Sequence, residues 1–572
     1  MCGIAGVIGQ EKDGQIRNML QTQHHRGPDN TSIWTDGVAS LGHNRLSIID
    51  LSAAANQPMT SADGRYVIIY NGEVYNYIEL RDIFLKDQTF TTHSDTEVVL
   101  AMYIKYGPNM LNKLIGMFAF AIWDTQEKNL FASRDRFGVK PFYYATFNNQ
   151  FVFASEIKTL WAAGVPRQPK DAVWADFFYS GSYGNADETF WQQIEALPAG
   201  HYLHYQPGGA VKLQKWYQFE NSILLQDSFK DDEAFTDAYL PLLKEAVSLR
   251  FRADVPVGIN LSGGLDSSVL LAMVHQLFPE SDKIKAYTFY CNNKDYDELP
   301  WVQQMIARTA KPLEATLLRA ADVPALAQKM ADAQDEPFGG IPTIAYSNIF
   351  KTAKEQGYKV LLDGQGIDEA WAGYDYYFKA DAGLVQGTNQ SPIKPDALNQ
   401  DFIAIINNEQ VTPVPQLFPD RLQNIQYRDI FFTKIPRALR FNDRASMLWS
   451  VELREPFLDH RLVEMAFAQP EHRKHKEGVT KFLLRKMATQ WLGGNVAFAP
   501  KRPLQTPQRE WLRHELKEWA TFQIEWLAKQ NPNGWFKPDI MMKYWQDYLH
   551  GQSDNSFYIW QWINAAMLLR PE

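Results

Sequence analysis

Val255-Pro256-Val257-Gly258-Ile259-Asn260-Leu261-Ser262-Gly263-Gly264-Leu265-Asp266-Ser267-Ser268, residues 255–268, decides the fold of the larger part of this chain. Residues 255–261 have the character of a short buried strand, apart from Pro256 and Asn260. A glycine-serine loop follows, and residues 269–278 read as a helix. Strand, glycine-rich loop and helix in that order make an anion site. The glycines let backbone N–H groups approach a phosphate, and the helix N-terminus adds a favourable dipole. Asp266 adds a carboxylate suited to Mg²⁺ rather than to phosphate itself. The lysine and spacing of a Walker A loop are absent.

Outward from this stretch, residues 286–289 and 359–362 also read as strands and alternate with long helical patterns. That alternation predicts an α/β doubly wound parallel sheet covered on both faces. Upstream, Phe235, Ala238, Tyr239, Leu242, Leu243, Ala246 and Val247 keep helical spacing. Residues 359–362 run into a second loop, Asp363-Gly364-Gln365-Gly366-Ile367-Asp368-Glu369. Ligands of doubly wound sheets sit at the carboxyl ends of strands, so both loops are expected at one crevice, where Asp368 and Glu369 join Asp266 to complete a Mg²⁺ or substrate site. From about Gln426 onward the pattern is almost wholly helical.

The N-terminal part has a different texture. Short apolar runs at 41–49, 66–70, 117–123, 130–132 and 151–154 are often bounded by Gly, Asn or Asp and predict strands. Helices around 77–85 and 96–106 interleave with them, giving an α+β, sheet-rich unit. The polar stretch 206–232 is read as a linker, so the expected organisation is 1–205, a linker over 206–232, and 233–572. Several domains are also what a chain of 572 residues implies.

Composition excludes several function classes. The net charge of −9 is spread along the chain without a basic block, which argues against a nucleic-acid partner. No run of about 18 apolar residues is present, so a membrane span is not expected. The N-terminus lacks the basic and long apolar regions of a signal peptide. Two cysteines, Cys2 and Cys291, exclude a disulfide framework and fit a reducing cytoplasm.

Cys2 follows Met1 directly, and removal of Met1 would leave it with a free α-amine. That amine has an ordinary pKa of about 7.7–8, against about 8.5 for the thiol, so one residue would hold both a nucleophile and a base. Taken alone, Cys2 reads equally as a small buried apolar residue. The strand-like Gly3-Ile4-Ala5-Gly6-Val7-Ile8-Gly9 that follows would anchor it in a sheet. Further on stand His25-Arg26-Gly27-Pro28-Asp29, Arg45-Leu46-Ser47-Ile48-Ile49-Asp50, Asn71-Gly72-Glu73-Val74-Tyr75-Asn76 and Ser94-Asp95-Thr96-Glu97. Singly these are turns and surface charges, Asn-Gly being the commonest hairpin turn.

Together these segments resemble the glutaminase domain of class II glutamine amidotransferases, an N-terminal nucleophile-type sandwich. The resemblance implies that Cys2 attacks the glutamine side-chain amide. It makes Asn71 and the Gly72 N–H an oxyanion hole, each donor contributing ~3 kcal/mol. Glutamine would be held by Arg45, Leu46, Ser47, Ile48, Ile49, Asn71, Gly72, Glu73 and Asp95, with Arg45 on the α-carboxylate and Asp95 on the α-amine.

The loop at 261–268 is similar to the pyrophosphatase loop of enzymes that cleave ATP to AMP and pyrophosphate. With Glu452–His460 and Lys481 it extends the likeness, over nearly the whole chain, to the glutamine-hydrolysing asparagine synthetase family. That likeness places Leu261, Ser262, Gly263, Gly264, Asp266, Ser267, Ser268, Cys291, Asp363, Gly364 and Lys481 on ATP, and Asp266 and Asp368 on Mg²⁺. Gln365 and Glu369 are placed at formation of the intermediate. Two positions depart from the family: Gln365 stands where Glu or Asp is usual, and Ile367 where the residue is usually small. Gln365 cannot act as a base, which leaves Glu369 as the expected proton acceptor.

The implied reaction joins ammonia, carried from Cys2 through a dry passage, to an acyl-adenylate formed from ATP and aspartate. A homodimer is implied as well. Alternatives keep the chemistry on a cell-wall peptide carboxylate or a secondary-metabolite acid, or keep the fold in a non-catalytic regulatory protein.

Overall fold

A computed structural model describes residues 2–571 except 13, 225–228, 282, 380–391, 409–413, 501–504 and 554. Met1, whose removal the sequence suggests, and residues 225–228 of the expected linker lie outside the described residues.

The N-terminal half pairs twelve strands in two antiparallel sheets. In chain order they are β1 (Gly3–Ile8), β2 (Asn30–Thr35), β3 (Ala39–Arg45), β4 (Met59–Thr60), β5 (Tyr66–Val74), β6 (Gly116–Asp124), β7 (Asn129–Arg134), β8 (Tyr143–Phe147), β9 (Gln150–Ala154), β10 (Glu195–Ala196), β11 (His201–Tyr205) and β12 (Lys212–Lys215). One sheet has the order β10-β8-β9-β1-β3-β2 and the other β12-β11-β7-β6-β5-β4. Period-two alternation explains the layering. Ile4 and Ile8 of β1 meet Val67 and Ile69 of β5 between the sheets, while Ala5 and Val7 face outward onto Ile16, Met19, Leu20 and Leu160. On the other side Ile68, Tyr70, Phe118 and Phe120 pack against helices Tyr77–Phe84 and Asp95–Tyr106. Both faces of β1 are buried, so its sequence is a continuous apolar run. At Gly6 a Cβ would lie 2.2 Å from the Phe153 ring, so only glycine lets the layers close there.

The second half is built on a five-stranded, all-parallel sheet: β13 (Val257–Asn260), β14 (Ala286–Tyr290), β15 (Leu313–Leu317), β16 (Val360–Leu362) and β17 (Glu452–Arg454). The order β15-β14-β13-β16-β17 shows that the chain winds outward from β13, then returns to build the other side. The reversal falls between β13 and β16, the place where doubly wound sheets open a ligand crevice. Helix Leu265–Leu277 leaves the β13 loop, and helix Asp232–Leu249 is capped by the Asp231 side chain, which accepts from Ala234 N–H at 2.8 Å.

Three expectations are corrected. The strand expected over 41–49 ends at Arg45, because the chain turns around the Arg45 guanidinium, which donates to the carbonyls of Ser52 (2.7 Å) and Ile49 (3.5 Å) and to that of Asp50. The stretch after Gln426, expected to be almost wholly helical, also holds β17, which completes the parallel sheet. Its Glu452 and Arg454 are wholly buried, and the Arg454 Nε lies 2.5 Å from Glu452 Oε1. Two charges that neutralise each other within one strand hide it from an apolar pattern. Finally, part of the expected linker belongs to the sandwich: the fully exposed β12 pairs with β11 as an edge strand, and helix Phe219–Leu224 follows it.

The halves share cores. Leu46, Ile48, Met117, Phe137 and Val139 of the sandwich sit in one apolar cluster with Ile259, Leu261, Val360 and Leu362. Arg26–Asp443 (2.9 Å), Lys359–Asp29 (2.7 Å) and Arg252–Glu79 (2.5 Å) add ion pairs across the same boundary. No described helix is long and apolar enough to cross a membrane.

Candidate active site

Cys2 is held at the start of β1, 8% exposed. Its N–H donates to Asn71 Oδ1 at 3.0 Å, and its carbonyl accepts from Arg26 Nε at 3.1 Å. Burial pushes the thiol above its usual range, while a backbone hydrogen bond from Leu46 and the nearby Arg45 guanidinium oppose that shift. Asn71 Nδ2 is buried and has no hydrogen-bond partner among the described residues. A buried donor left unpaired is costly, so this amide is poised for an incoming acceptor beside the thiol. Gly72 is fixed by close strand approach, since a Cβ there would meet the Met117 carbonyl at 2.2 Å.

Around this point the expected glutamine residues divide. Leu46, Ile48 and Ile49 are buried, Leu46 with its backbone on the Cys2 thiol, and Ser47 N–H donates to Asp29 at 2.8 Å. Ile48 carbonyl accepts from Asp254 N–H at 2.8 Å, tying this segment to the second half. Arg45 is expected on a carboxylate, yet its guanidinium is occupied by the loop carbonyls described above and by Asn56 Oδ1 at 2.7 Å. Asp95 accepts from Tyr70 hydroxyl (2.8 Å) and Val74 N–H (2.9 Å). Glu73 is buried 3.5 Å from Arg454; burial and the neighbouring Glu452 push its carboxyl well up, with Arg454 opposing.

In the second half, the loops after β13 and β16 wall one cavity of ≈ 630 Å³. Leu261, Ser262, Gly263, Gly264, Asp266, Ser267, Asp363, Gly364, Gln365, Asp368, Glu369 and Lys481 all line it. The β13 loop is braced from within, the Ser267 Oγ donating to the Ser262 carbonyl at 2.9 Å. Ser268 and Cys291 do not line the cavity. The Ser268 hydroxyl turns back onto the Gly264 carbonyl at 2.8 Å, and the Cys291 thiol, pushed up to about 12 by burial, belongs to a buried apolar cluster. Glu369 Oε1 accepts from Tyr374 hydroxyl at 2.6 Å. Burial pushes Asp363 up to about 6, against hydrogen bonds from Gly364 and Tyr346.

Lys481 joins the two loops. Its ammonium lies 2.5 Å from Asp266 Oδ1 and 2.7 Å from Asp368 Oδ1, at a residue with φ of 54°. Gly373 makes the room: a Cβ there would stand 2.0 Å from Asp368 Oδ1 and 2.2 Å from Lys481 Cε. Two carboxylates converging on one cation position suit Mg²⁺, which is commonly held by one or two carboxylates with substrate phosphates. Among the described residues no cluster of three or more metal-ligating side chains occurs, so phosphate oxygens would have to supply the remainder. Sequence reasoning did not find Tyr346, Thr288, Lys434 or Arg437 on the cavity wall. Each comes from a helix or strand without a local signature.

Known proteins match along the whole length. The glutamine amidotransferase domain family matches residues 1–217 and the asparagine synthase family residues 238–570. Asparagine synthetase [glutamine-hydrolyzing] 1 of Bacillus subtilis is 28% identical over 100% of this chain and 98% of its own length. The putative asparagine synthetase [glutamine-hydrolyzing] 2 of Methanocaldococcus jannaschii is 33% identical over 65% of this chain and 76% of its own. Amidase chyE of Penicillium rubens is 28% identical over 93% of this chain and 94% of its own. Among solved structures, the glutamine phosphoribosylpyrophosphate amidotransferase of B. subtilis aligns with a TM-score of 0.30 at 16% identity, covering 55% of this chain and 65%, just under two thirds, of that one.

Proposed function

Because the chain belongs to the asparagine synthase family, with a glutamine amidotransferase domain ahead of the synthase domain, we propose that it converts aspartate to asparagine. The nitrogen comes from glutamine, and ATP is cleaved to AMP and pyrophosphate through a β-aspartyl-adenylate. The observation that carries this reading is the junction of the β13 and β16 loops on one cavity, closed by Lys481 between Asp266 and Asp368.

At the first site the Cys2 thiol attacks the glutamine amide carbon, and the Asn71 Nδ2 donor and Gly72 N–H receive the oxyanion. With Met1 removed, the α-amine held near Asn71 Oδ1 takes the thiol proton and returns it to the amide nitrogen, so the C–N bond breaks, ammonia leaves and a thioester remains on Cys2. Water then releases glutamate from the thioester, and ammonia passes to the second site. There the backbone of Ser262–Ser267 cradles the pyrophosphate and Lys481 lies on its charge. Asp266 and Asp368 would hold Mg²⁺, which neutralises phosphate charge when bound. An aspartate carboxylate oxygen attacks the α-phosphorus, and the bond to the β-phosphate breaks with its electron pair on the departing pyrophosphate. Gln365 contributes hydrogen bonds only.

A second reading, with another carboxylic acid as acceptor, is favoured by the amidase name of one relative and by Ile367 in the loop that lines the cavity. Pyrophosphate release over a panel of carboxylic acids separates the two. Stimulation by aspartate supports the first, and stimulation only by another acid replaces it.

A further inference from the structure

Glu455, directly after β17, is an acid that the reaction above leaves without work. It is 5% exposed, and its Oε2 has no hydrogen-bond partner among the described residues. Burying an unpaired carboxyl oxygen is costly, so its place calls for a reason. Because β16 and β17 are parallel and Asp363 N–H donates to the Arg454 carbonyl at 2.9 Å, Glu455 and Asp363 leave adjoining strand ends side by side. Asp363 is on the cavity wall.

The charged and titratable groups facing Glu455 define its other side. They are Lys140 and Asp135 of the sandwich and Asp443 of helix Lys434–Met447, with Asp363 and Tyr346 on the cavity side. Asp443 binds Arg26, whose Nε donates to the Cys2 carbonyl. Buried groups therefore run from Cys2 through Arg26, Asp443 and Glu455 to Asp363, and it is Asp363, beside Glu455 on the adjoining strand end, that stands on the cavity wall.

We propose that Glu455 is the general base of the amide-forming step, a reading that rests on the amidation reaction above. The ammonia lone pair forms the C–N bond to the acyl carbon, and the C–O bond to AMP breaks with its electron pair on the phosphate oxygen. The nitrogen, now positive and bearing three hydrogens, gives one proton to the Glu455 carboxylate, leaving the amide, AMP and a neutral carboxyl. The other candidates are committed. Gln365 cannot take a proton, Glu369 accepts from Tyr374, and Asp363 is held by Gly364 and Tyr346. Burial, with Asp363 adding to it and Lys140 opposing, pushes Glu455 up to about 8, close to where a base works best at neutral pH.

The test follows glutamate, first-turnover pyrophosphate and amide together in the full-length protein with ATP, glutamine and the acceptor acid. Glu455→Gln keeps glutamine hydrolysis and first-turnover pyrophosphate, and forms ~10² or more times less amide per pyrophosphate. In the parent, amide per glutamate rises with pH through about 8, because the carboxylate must be ionised to accept a proton. That limb is absent in Glu455→Gln and persists, at a lower yield, in Glu455→Asp. Unchanged amide per pyrophosphate at every pH, a parallel loss of pyrophosphate, or a loss in Glu455→Asp as deep as in Glu455→Gln would each overturn the proposal. A parent that forms no pyrophosphate with any acid removes the reaction itself, a failure distinct from these three.

Discussion

Replacing Lys481 by methionine removes the ammonium that bridges Asp266 at 2.5 Å and Asp368 at 2.7 Å while keeping most of the side-chain volume. Lys481 itself is buried, at 4% exposed, but the two carboxylates are 19% and 21% exposed, on the cavity side. Breaking a fully buried pair costs about 3–5 kcal/mol; here water reaches the abandoned acids, and the expected loss of stability is about 1–2 kcal/mol. The catalytic effect is larger. If Lys481 meets phosphate charge in the transition state, its loss removes about 3–4 kcal/mol, or ~10²–10³ in the rate of pyrophosphate release. Thermal unfolding, glutaminase assay and pyrophosphate release on one preparation separate these effects. The facing acids of the variant repel, so added Mg²⁺ should raise its Tm more than that of the parent, where the ammonium already compensates them. A variant that releases pyrophosphate within about tenfold of the parent would refute the phosphate role of Lys481, since a single preorganised donor is worth more than that. Equal loss of glutamine hydrolysis would show that the damage is to the fold.

Other outcomes test other parts of the account. Cys2→Ala should abolish glutamine hydrolysis and leave amide formation from ammonium salts intact; loss of both in a folded variant contradicts two separate sites. Gly373→Ala should push Lys481 off Asp368 and lower pyrophosphate release by about tenfold or more without touching glutaminase activity, because its Cβ would stand 2.0 Å from Asp368 Oδ1. Gly6→Ala, whose Cβ meets the Phe153 ring at 2.2 Å, should cost about 1–3 kcal/mol in denaturant unfolding, the usual range for overpacking.

What could be read in the chain divides along physical lines. The β13 loop and the anchoring of Cys2 by β1 were legible because each needs its residue types in consecutive positions: glycines and serines between a strand and a helix, an apolar strand behind Cys2. Helix Asp95–Tyr106 was legible almost to its cap, where the Ser94 side chain accepts from Thr96 N–H at 3.1 Å. β17 was not, because the partner that makes Arg454 tolerable in a core is Glu452 on the same strand rather than an apolar residue. β12 escaped because an exposed edge strand of Lys, Leu, Gln and Lys reads as a linker. The occupation of Arg45 depends on how the loop 49–56 folds back, and the environment of Glu455 is assembled from segments near 135–140, 363 and 443. Neither is a property of neighbouring letters.

In the proposed function one chain moves the amide nitrogen of glutamine onto aspartate at the expense of ATP. It is tested most directly by supplying glutamine labelled at its amide nitrogen with ATP, Mg²⁺ and aspartate, and following the label. Labelled asparagine should form, with AMP and pyrophosphate in step with it. Pyrophosphate that appears only with a different carboxylic acid, or glutamine hydrolysed to free labelled ammonia with no amide formed from any acid, would contradict it.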